Sequence, residues 1–189
     1  MSFRSHALLA LAASGLAACA GNQTLISSNE ISQTYDEQQI GFATQDGRAI
    51  PVIVAGNPFG DSRSKLDAAM VDAMNGSNFG PRVTFAVDPA KPATQNSRVV
   101  FAFNPEGQLL SGSLCLAVPQ SRPATGRDLR IAAAYCQGSQ PMTEATGSIG
   151  DVSGPESPNF RALTVQLTQA LFPPNNPHRD EQNGNCTGC

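Results

Sequence analysis

Ser113-Leu114-Cys115-Leu116-Ala117-Val118 and Leu129-Arg130-Ile131-Ala132-Ala133-Ala134-Tyr135-Cys136 are two apolar runs whose relation decides the fold. Between them lies Pro123-Ala124-Thr125-Gly126-Arg127-Asp128, with the Pro, Gly and Asp of a turn. A turn centred on Thr125-Gly126 sets Cys115 opposite Cys136, Leu116 opposite Tyr135 and Val118 opposite Ala133. The same register puts Leu114, Leu116 and Val118 on one face with Ala133 and Tyr135. The expectation is an antiparallel hairpin stapled by a cross-strand Cys115–Cys136 disulfide. Closing that loop contributes about 3 kcal/mol in the chain-entropy picture.

Working outward, Arg82-Val83-Thr84-Phe85-Ala86-Val87-Asp88-Pro89 is echoed by Arg98-Val99-Val100-Phe101-Ala102-Phe103-Asn104-Pro105. Each alternates apolar side chains onto one face and ends where proline disfavours further pairing. They read as two neighbouring strands joined by the Pro-rich loop 90–97. Upstream, Ile40-Gly41-Phe42-Ala43, a turn at Asp46-Gly47, and residues 50–55 read as a hairpin. Pro51 cannot donate a ladder bond, so the second of these strands is expected to pair on one side there. Asp61 or Ser62 caps a helix that stops at Gly76, with Leu66, Ala69, Met70, Ala73 and Met74 on one face. Ser157 caps a second helix, with Pro158 in its first turn and Phe160, Leu163, Leu167, Ala170 and Leu171 as its apolar face. Pro173-Pro174 ends it. Residues 137–156, rich in Gly, Ser, Thr and Pro, read as one long loop. The fold class that follows is α+β: an antiparallel sheet of about five or six strands, two helices packed on one face, the other face solvated, and one cross-strand disulfide.

The N-terminal region carries a different message. Residues 7–18 are uncharged and apolar behind Arg4 and His6, and end in small residues, as a secretory signal does. As a helix this run would rise about 18 Å, short of the roughly 30 Å of bilayer hydrocarbon. Leu16-Ala17-Ala18-Cys19 resembles the lipobox of bacterial lipoproteins. That resemblance implies cleavage before Cys19, a diacylglycerol on its thiol and an acyl chain on the new amine, so that the protein meets the membrane through lipid on Cys19. Ala20, where an Asp would retain such a protein at the inner membrane, implies an outer-membrane anchor with the domain facing the periplasm. The expected organisation is a signal peptide over 1–18, a lipid-anchored flexible tether over 19–35, an α+β domain over 36–172 and a disordered tail over 173–189. Residues 50–172, with Val52-Ile53-Val54-Ala55-Gly56-Asn57-Pro58-Phe59, also resemble small alphaproteobacterial lipoproteins that carry no assigned activity.

Cleavage would leave 171 of the 189 residues, enough for one core, with 11 basic against 15 acidic side chains. The charges are scattered, with no basic stripe, so no nucleic-acid partner is expected. Trp is absent, which argues against a sugar- or base-stacking platform. An exported chain reaches an oxidising compartment, where cysteines pair.

Catalytic signatures are missing. His6 leaves with the signal and His178 falls in the tail, so no nucleophile has an evident base. Ser113, in Gly112-Ser113-Leu114-Cys115, lacks the second glycine of a nucleophile elbow. Phosphate-loop and dinucleotide patterns are absent, and no cofactor is implied. In the tail, Cys186-Thr187-Gly188-Cys189 follows His178, Asp180 and Glu181. Cys186 and Cys189 form a disulfide, within the chain or between chains, or hold a metal together with His178. The sequence therefore points to a non-enzymatic interaction or structural domain with an envelope protein as partner. The alternative is a metal-binding or redox protein using the His/Cys tail. Neither composition nor pattern speaks to oligomeric state.

Overall fold

In the computed structural model, residues 24–93, 96–107, 109, 111–123 and 126–179 are described. The fold is organised around β5 (Leu129–Gln137), where Leu129, Ile131, Ala133 and Tyr135 alternate with Ala132, Ala134 and Cys136 and both sets are buried. A strand buried on both faces belongs inside a sheet covered by two layers. Its two edges are taken by β4 (Ser97–Phe103) and β6 (Gln140–Ile149), both antiparallel to it. With β1 (Leu25–Ile31), β2 (Ile50–Ala55) and the two-residue β3 (Phe85–Ala86), the order is β1-β6-β5-β4-β2-β3.

The sheet is mixed, which corrects the antiparallel expectation. β2 runs parallel to both neighbours, with Val52 opposite Val99 and Ile50 opposite Phe85. The cause is α2 (Arg63–Met74), which carries the chain back along the sheet between β2 and β3. The echoing segments consequently flank β2 instead of each other. Val83, Phe85, Val99, Phe101 and Phe103 still enter one core, so their shared pattern records a shared burial requirement. Pro51 faces β3 alone at its position.

The founding hairpin is also corrected. Residues 113–116 form α3 (Ser113–Leu116), entered through Gly112 at φ 77°. The disulfide Cys115–Cys136 is present, with Cα atoms 5.6 Å apart, but it joins a helix to a central strand. Both edges of β5 are occupied, so residues 113–118 have no ladder to join. Leu116 and Val118, assigned to the apolar face by that register, are 74% and 55% exposed.

Two strands lie where none was expected. β6 occupies half of the 137–156 loop, reached from β5 through Gly138-Ser139 with Gly138 at φ 60°. β1 occupies the tether and pairs with β6. Ile26 and Ile31 are five residues apart and would face opposite sides of a regular strand. A register shift between Ile26 and Ser28 adds one residue there, and both isoleucines then pack on the same core. Residues 40–43, read as strand, belong to α1 (Glu37–Ala43), whose N-cap Asp36 accepts from the Gln38 and Gln39 N–H groups. The Asp46-Gly47 turn links that helix to β2.

α4 (Pro158–Leu171) starts at its Ser157 cap as expected. It packs with α2 on one face of the sheet. Phe160 stacks on Phe103 with centroids 6.1 Å apart, and the Thr164 hydroxyl donates to Met70 Sδ at 3.7 Å. The opposite face, expected to be solvated, is built from small residues: Ala55, Ala102, Ala132 and Ala134 around Val100. It is covered by Leu114 and Cys115. The tail reading is corrected for 173–179: Asn176 is 2% exposed, and its Nδ2 donates to the carbonyls of Ser32, Gln33 and Tyr35 at 3.0, 3.1 and 3.0 Å.

Candidate functional site

The pairing register collects one set of loops at a single end of the sheet. Leu25 lies opposite Ser148, Ser148 opposite Arg130, and Arg130 exchanges bonds with Asn104, whose N–H donates to its carbonyl at 2.8 Å. In the same row β2 leaves at Gly56, beyond the Ala55–Ala102 pair. The start of β1 thus shares an end with the exits of β2, β4 and β6 and the starts of β5, α2 and α4 (the proximal end).

Gly56-Asn57-Pro58-Phe59-Gly60 occupies this end as strand exit and helix start, as its sequence suggests. Gly56 sits at φ 82°, and a Cβ there would fall 2.6 Å from Ser121 Oγ, so only glycine fits. Asn57 folds the loop: its Oδ1 accepts from the Phe59 N–H at 3.3 Å and its Nδ2 donates to the Asp61 carbonyl at 2.6 Å. Phe59 is anchored edge-on to Phe160, centroids 5.5 Å apart. Beside the loop is a cleft of about 370 Å³ lined by Pro58, Phe59, Arg127, Asp128, Val152 and Ser153. Arg127 pairs with Asp151 at 2.9 Å and Arg122 with Glu106 at 3.8 Å. Exposed pairs of this kind contribute little, typically under 1 kcal/mol. Among the described residues, no histidine or cysteine lines the cleft, and Asp128 is its one carboxylate.

A second polar constellation went unseen in the sequence. Glu30 on β1 lies directly opposite Glu144 on β6, a like-charge pairing that destabilises a ladder unless something bridges it. Ser111 Oγ lies 3.1 Å from Glu30 Oε2 and 2.6 Å from Glu144 Oε2. The Gly112 N–H donates to both oxygens of Glu144 at 2.9 Å. The adjoining cavity, about 80 Å³ against Leu109, Leu114 and Ala132, is far below the several hundred Å³ of an ordinary ligand pocket. The arrangement therefore acts as a clamp, fixing the approach to α3 onto the sheet near its β1 edge.

A third cluster closes the opposite, distal end. Tyr35 Oη donates to the Pro173 carbonyl at 2.9 Å, and burial pushes its hydroxyl well above the ordinary phenol range. Arg179 bonds Asp36 at 3.2 Å, Glu37 at 3.3 Å and the Tyr35 carbonyl at 3.1 Å. Burial works against ionising Asp36. The N–H groups of Gln39 and Gln38 and the Arg179 guanidinium outweigh it and hold the carboxyl below its usual range.

Of the expected site residues, Cys115 and Cys136 are brought together. Cys19, Cys186 and Cys189 lie outside the described residues. His178 lies within them, half-buried just past Asn176, whose Oδ1 accepts its backbone N–H at 3.1 Å. It therefore belongs to the folded part, not to a free tail. Among the described residues no three His, Cys, Asp or Glu side chains are placed to hold a metal ion. No described helix is long and apolar enough to cross a membrane. The sequence offers no signal for the Glu30–Ser111–Glu144 clamp, because it needs the β1–β6 register, and neither strand shows a strand-like pattern in the sequence.

No protein-family model and no curated protein matches the chain. Among solved structures it is similar to the PelC dodecamer from Paraburkholderia phytofirmans, at 12% identity over 80% of this chain and 96% of that one, with a TM-score of 0.37. It is also similar to a single-residue PelC variant dodecamer from the same organism, at 14% identity over 80% of this chain and 98% of that one, TM-score 0.39. Likeness at this distance carries no argument about what this chain does or how it assembles.

Proposed function

We propose that this chain is a lipid-anchored envelope protein whose folded domain is a non-enzymatic interaction or structural module at the periplasmic face of the outer membrane. The observation that carries the reading is the closeness of anchor and fold. Leu16-Ala17-Ala18-Cys19 is followed by only Ala20–Thr24 before β1 begins at Leu25. A lipid on Cys19 would thus hold the sheet itself at the bilayer, through a short leash. The Cys115–Cys136 disulfide suits an exported protein in an oxidising compartment. The cleft beside Gly56 has room for a ligand, with Phe59, Arg127, Asp128 and Ser153 in its lining.

The test is metabolic labelling of the full-length chain with a palmitate analogue in a lipoprotein-processing bacterium. The wild type is expected to take up label and to sediment with outer membranes. Cys19→Ser is expected to lose the label and to move to the soluble fraction. Equal labelling and equal sedimentation of the two would overturn the proposal.

A further inference from the structure

We infer that the protein stands on the membrane with its proximal end down, so that the loops 56–62, 104–107, 126–128 and 150–157 meet the phospholipid headgroups. The inference rests on the lipid-anchor reading and adds which surface faces the bilayer. From Cys19 to Leu25 the chain spans six Cα steps, which reach at most about 20 Å whatever their conformation. The nine residues of β5 make the sheet about 30 Å long. Leu25 sits at the proximal rim, in one row with Ser148, Arg130 and Asn104. The leash therefore draws that rim to the surface, while the distal end stands a sheet length away.

The other posture within the leash is the domain lying on its β1 edge. That posture would press the β1 strand edge, the end of the sheet order among the described residues, against the headgroups. Standing on the proximal end instead presents Leu25, which is 60% exposed, and the Asn57-Pro58-Phe59 turn. It also points the amino ends of both long helices, α2 and α4, at the phosphates. Charge does not favour this end: Arg122 and Arg127 are paired with Glu106 and Asp151, and Asp61, Asp128 and Glu156 lie in the same loops, so the posture rests on the leash alone. The large exposed aromatics Phe42 and Phe79, 65% and 54% exposed, are carried by segments that meet at the distal end. α1 ends there and packs at Gly41 against Pro81, and the Thr84 carbonyl accepts from the Ile50 N–H at 2.8 Å.

The experiment uses the full-length lipidated protein, with Cys186→Ser and Cys189→Ser to clear the tail thiols and the Cys115–Cys136 bridge intact. Ser153→Cys and Gln45→Cys, both at exposed positions, carry a spin label at the proximal and distal ends in turn. The protein is bound to phosphatidylcholine vesicles doped with a headgroup-chelated gadolinium lipid. Relaxation enhancement at Ser153→Cys is expected to exceed that at Gln45→Cys several-fold, and to persist in high salt. A flexible Gly/Ser insertion of about twenty residues after Gly21 is expected to erase the contrast. Equal enhancement at the two sites, or a larger one at Gln45→Cys, in vesicle-bound protein overturns the orientation and leaves the anchor standing. Failure of the processed chain to bind vesicles any better than Cys19→Ser overturns the anchor reading, and the orientation with it.

Discussion

The two faces of the sheet are held down in different ways. On one, α2 and α4 bury Leu66, Met70, Phe160, Leu163, Leu167 and Leu171 against Phe101, Phe103 and Tyr135. On the other, a layer of Ala and Val is covered by an excursion of the chain carrying a single short helix. That excursion brings few apolar side chains of its own: Leu114 and Cys115 are buried, whereas Leu116 and Val118 are exposed. It is secured by the bridge to Cys136 and by Glu144 gripping Gly112 and Ser111. A layer rich in large apolar groups needs no staple. A layer that approaches an alanine surface through backbone does.

The largest test of this contrast is Phe160→Ala. Phe160 is fully buried between Phe59 and Phe103, and its removal leaves a cavity bordered by both rings. A loss of about 3–5 kcal/mol is expected in urea unfolding, enough to abolish cooperative folding of a marginal domain. A loss under about 1 kcal/mol would show that the helix-covered face does not dominate stability.

Next comes the staple. Replacing Cys115 and Cys136 together by Ser opens a loop of sequence separation 21 and is expected to cost about 3 kcal/mol. Because the excursion has so little apolar hold, hydrogen exchange should rise locally over 111–118 under conditions where α4 stays protected. Uniform acceleration across both layers would instead mean that the two faces unfold as one unit.

The same contrast explains which parts of the fold could be read from the sequence. The helix-covered face is made of large residues at regular spacing, so α2, α4 and β5 are legible as elements, and α4 with its Ser157 cap. Ser62 at the start of α2, by contrast, makes no side-chain cap bond, and β5 is buried on both faces. β6 is not legible. Gly147 lies so close under α4 that a Cβ there would meet Leu163 Cδ1 at 2.8 Å, and Thr143 donates to the Leu171 carbonyl at 2.7 Å. A strand beneath a helix at that distance must carry small residues at the contact, and Gly147 there, with Thr143 bonded to α4, weakens the apolar alternation that marks strands. β1 was hidden by its bulge, since Ile26 and Ile31 fall out of period in the bare sequence. The parallel pairing of β2 could have been deduced from the strand–helix–strand order of residues 50–87. The Cys115–Cys136 pairing was right although its hairpin was wrong, because a disulfide asks only that two residues meet. The Glu30–Glu144 clamp depends on a register between the two least legible strands and had no local trace at all.

Glu144→Gln probes the clamp together with the like-charge opposition of Glu30. The amide keeps one acceptor for Gly112 and gives up the charge that strengthens the bond, while relief of the repulsion from Glu30 offsets part of that, so a net loss of under about 1 kcal/mol is expected. If the clamp and the disulfide hold the same excursion, the Gln substitution should cost more in the Cys115→Ser, Cys136→Ser background than in the wild type. Strict additivity would separate them into independent supports.

The smallest effect is expected where the helix-covered face uses a polar bond of its own, at Asp36 and Arg179 beyond the end of α4. The Asp36 carboxyl is held below its ordinary range in the folded protein, so the unfolded chain takes up the proton first as pH falls. The stability it contributes is therefore complete above the unfolded value near 4 and disappears as the pH drops through the lower folded value. Asn at this position still accepts from the Gln38 and Gln39 N–H groups as an N-cap, so Asp36→Asn keeps the cap geometry and removes the negative charge that those N–H groups and the Arg179 guanidinium stabilise. The gap in thermal midpoint between wild type and Asp36→Asn should be small, widest at neutral pH, and closed in acid. A gap that stays constant from neutral pH into acid would assign the role of Asp36 to its cap geometry. The charge of Asp36, and with it the ion pair with Arg179, would then add nothing beyond that geometry.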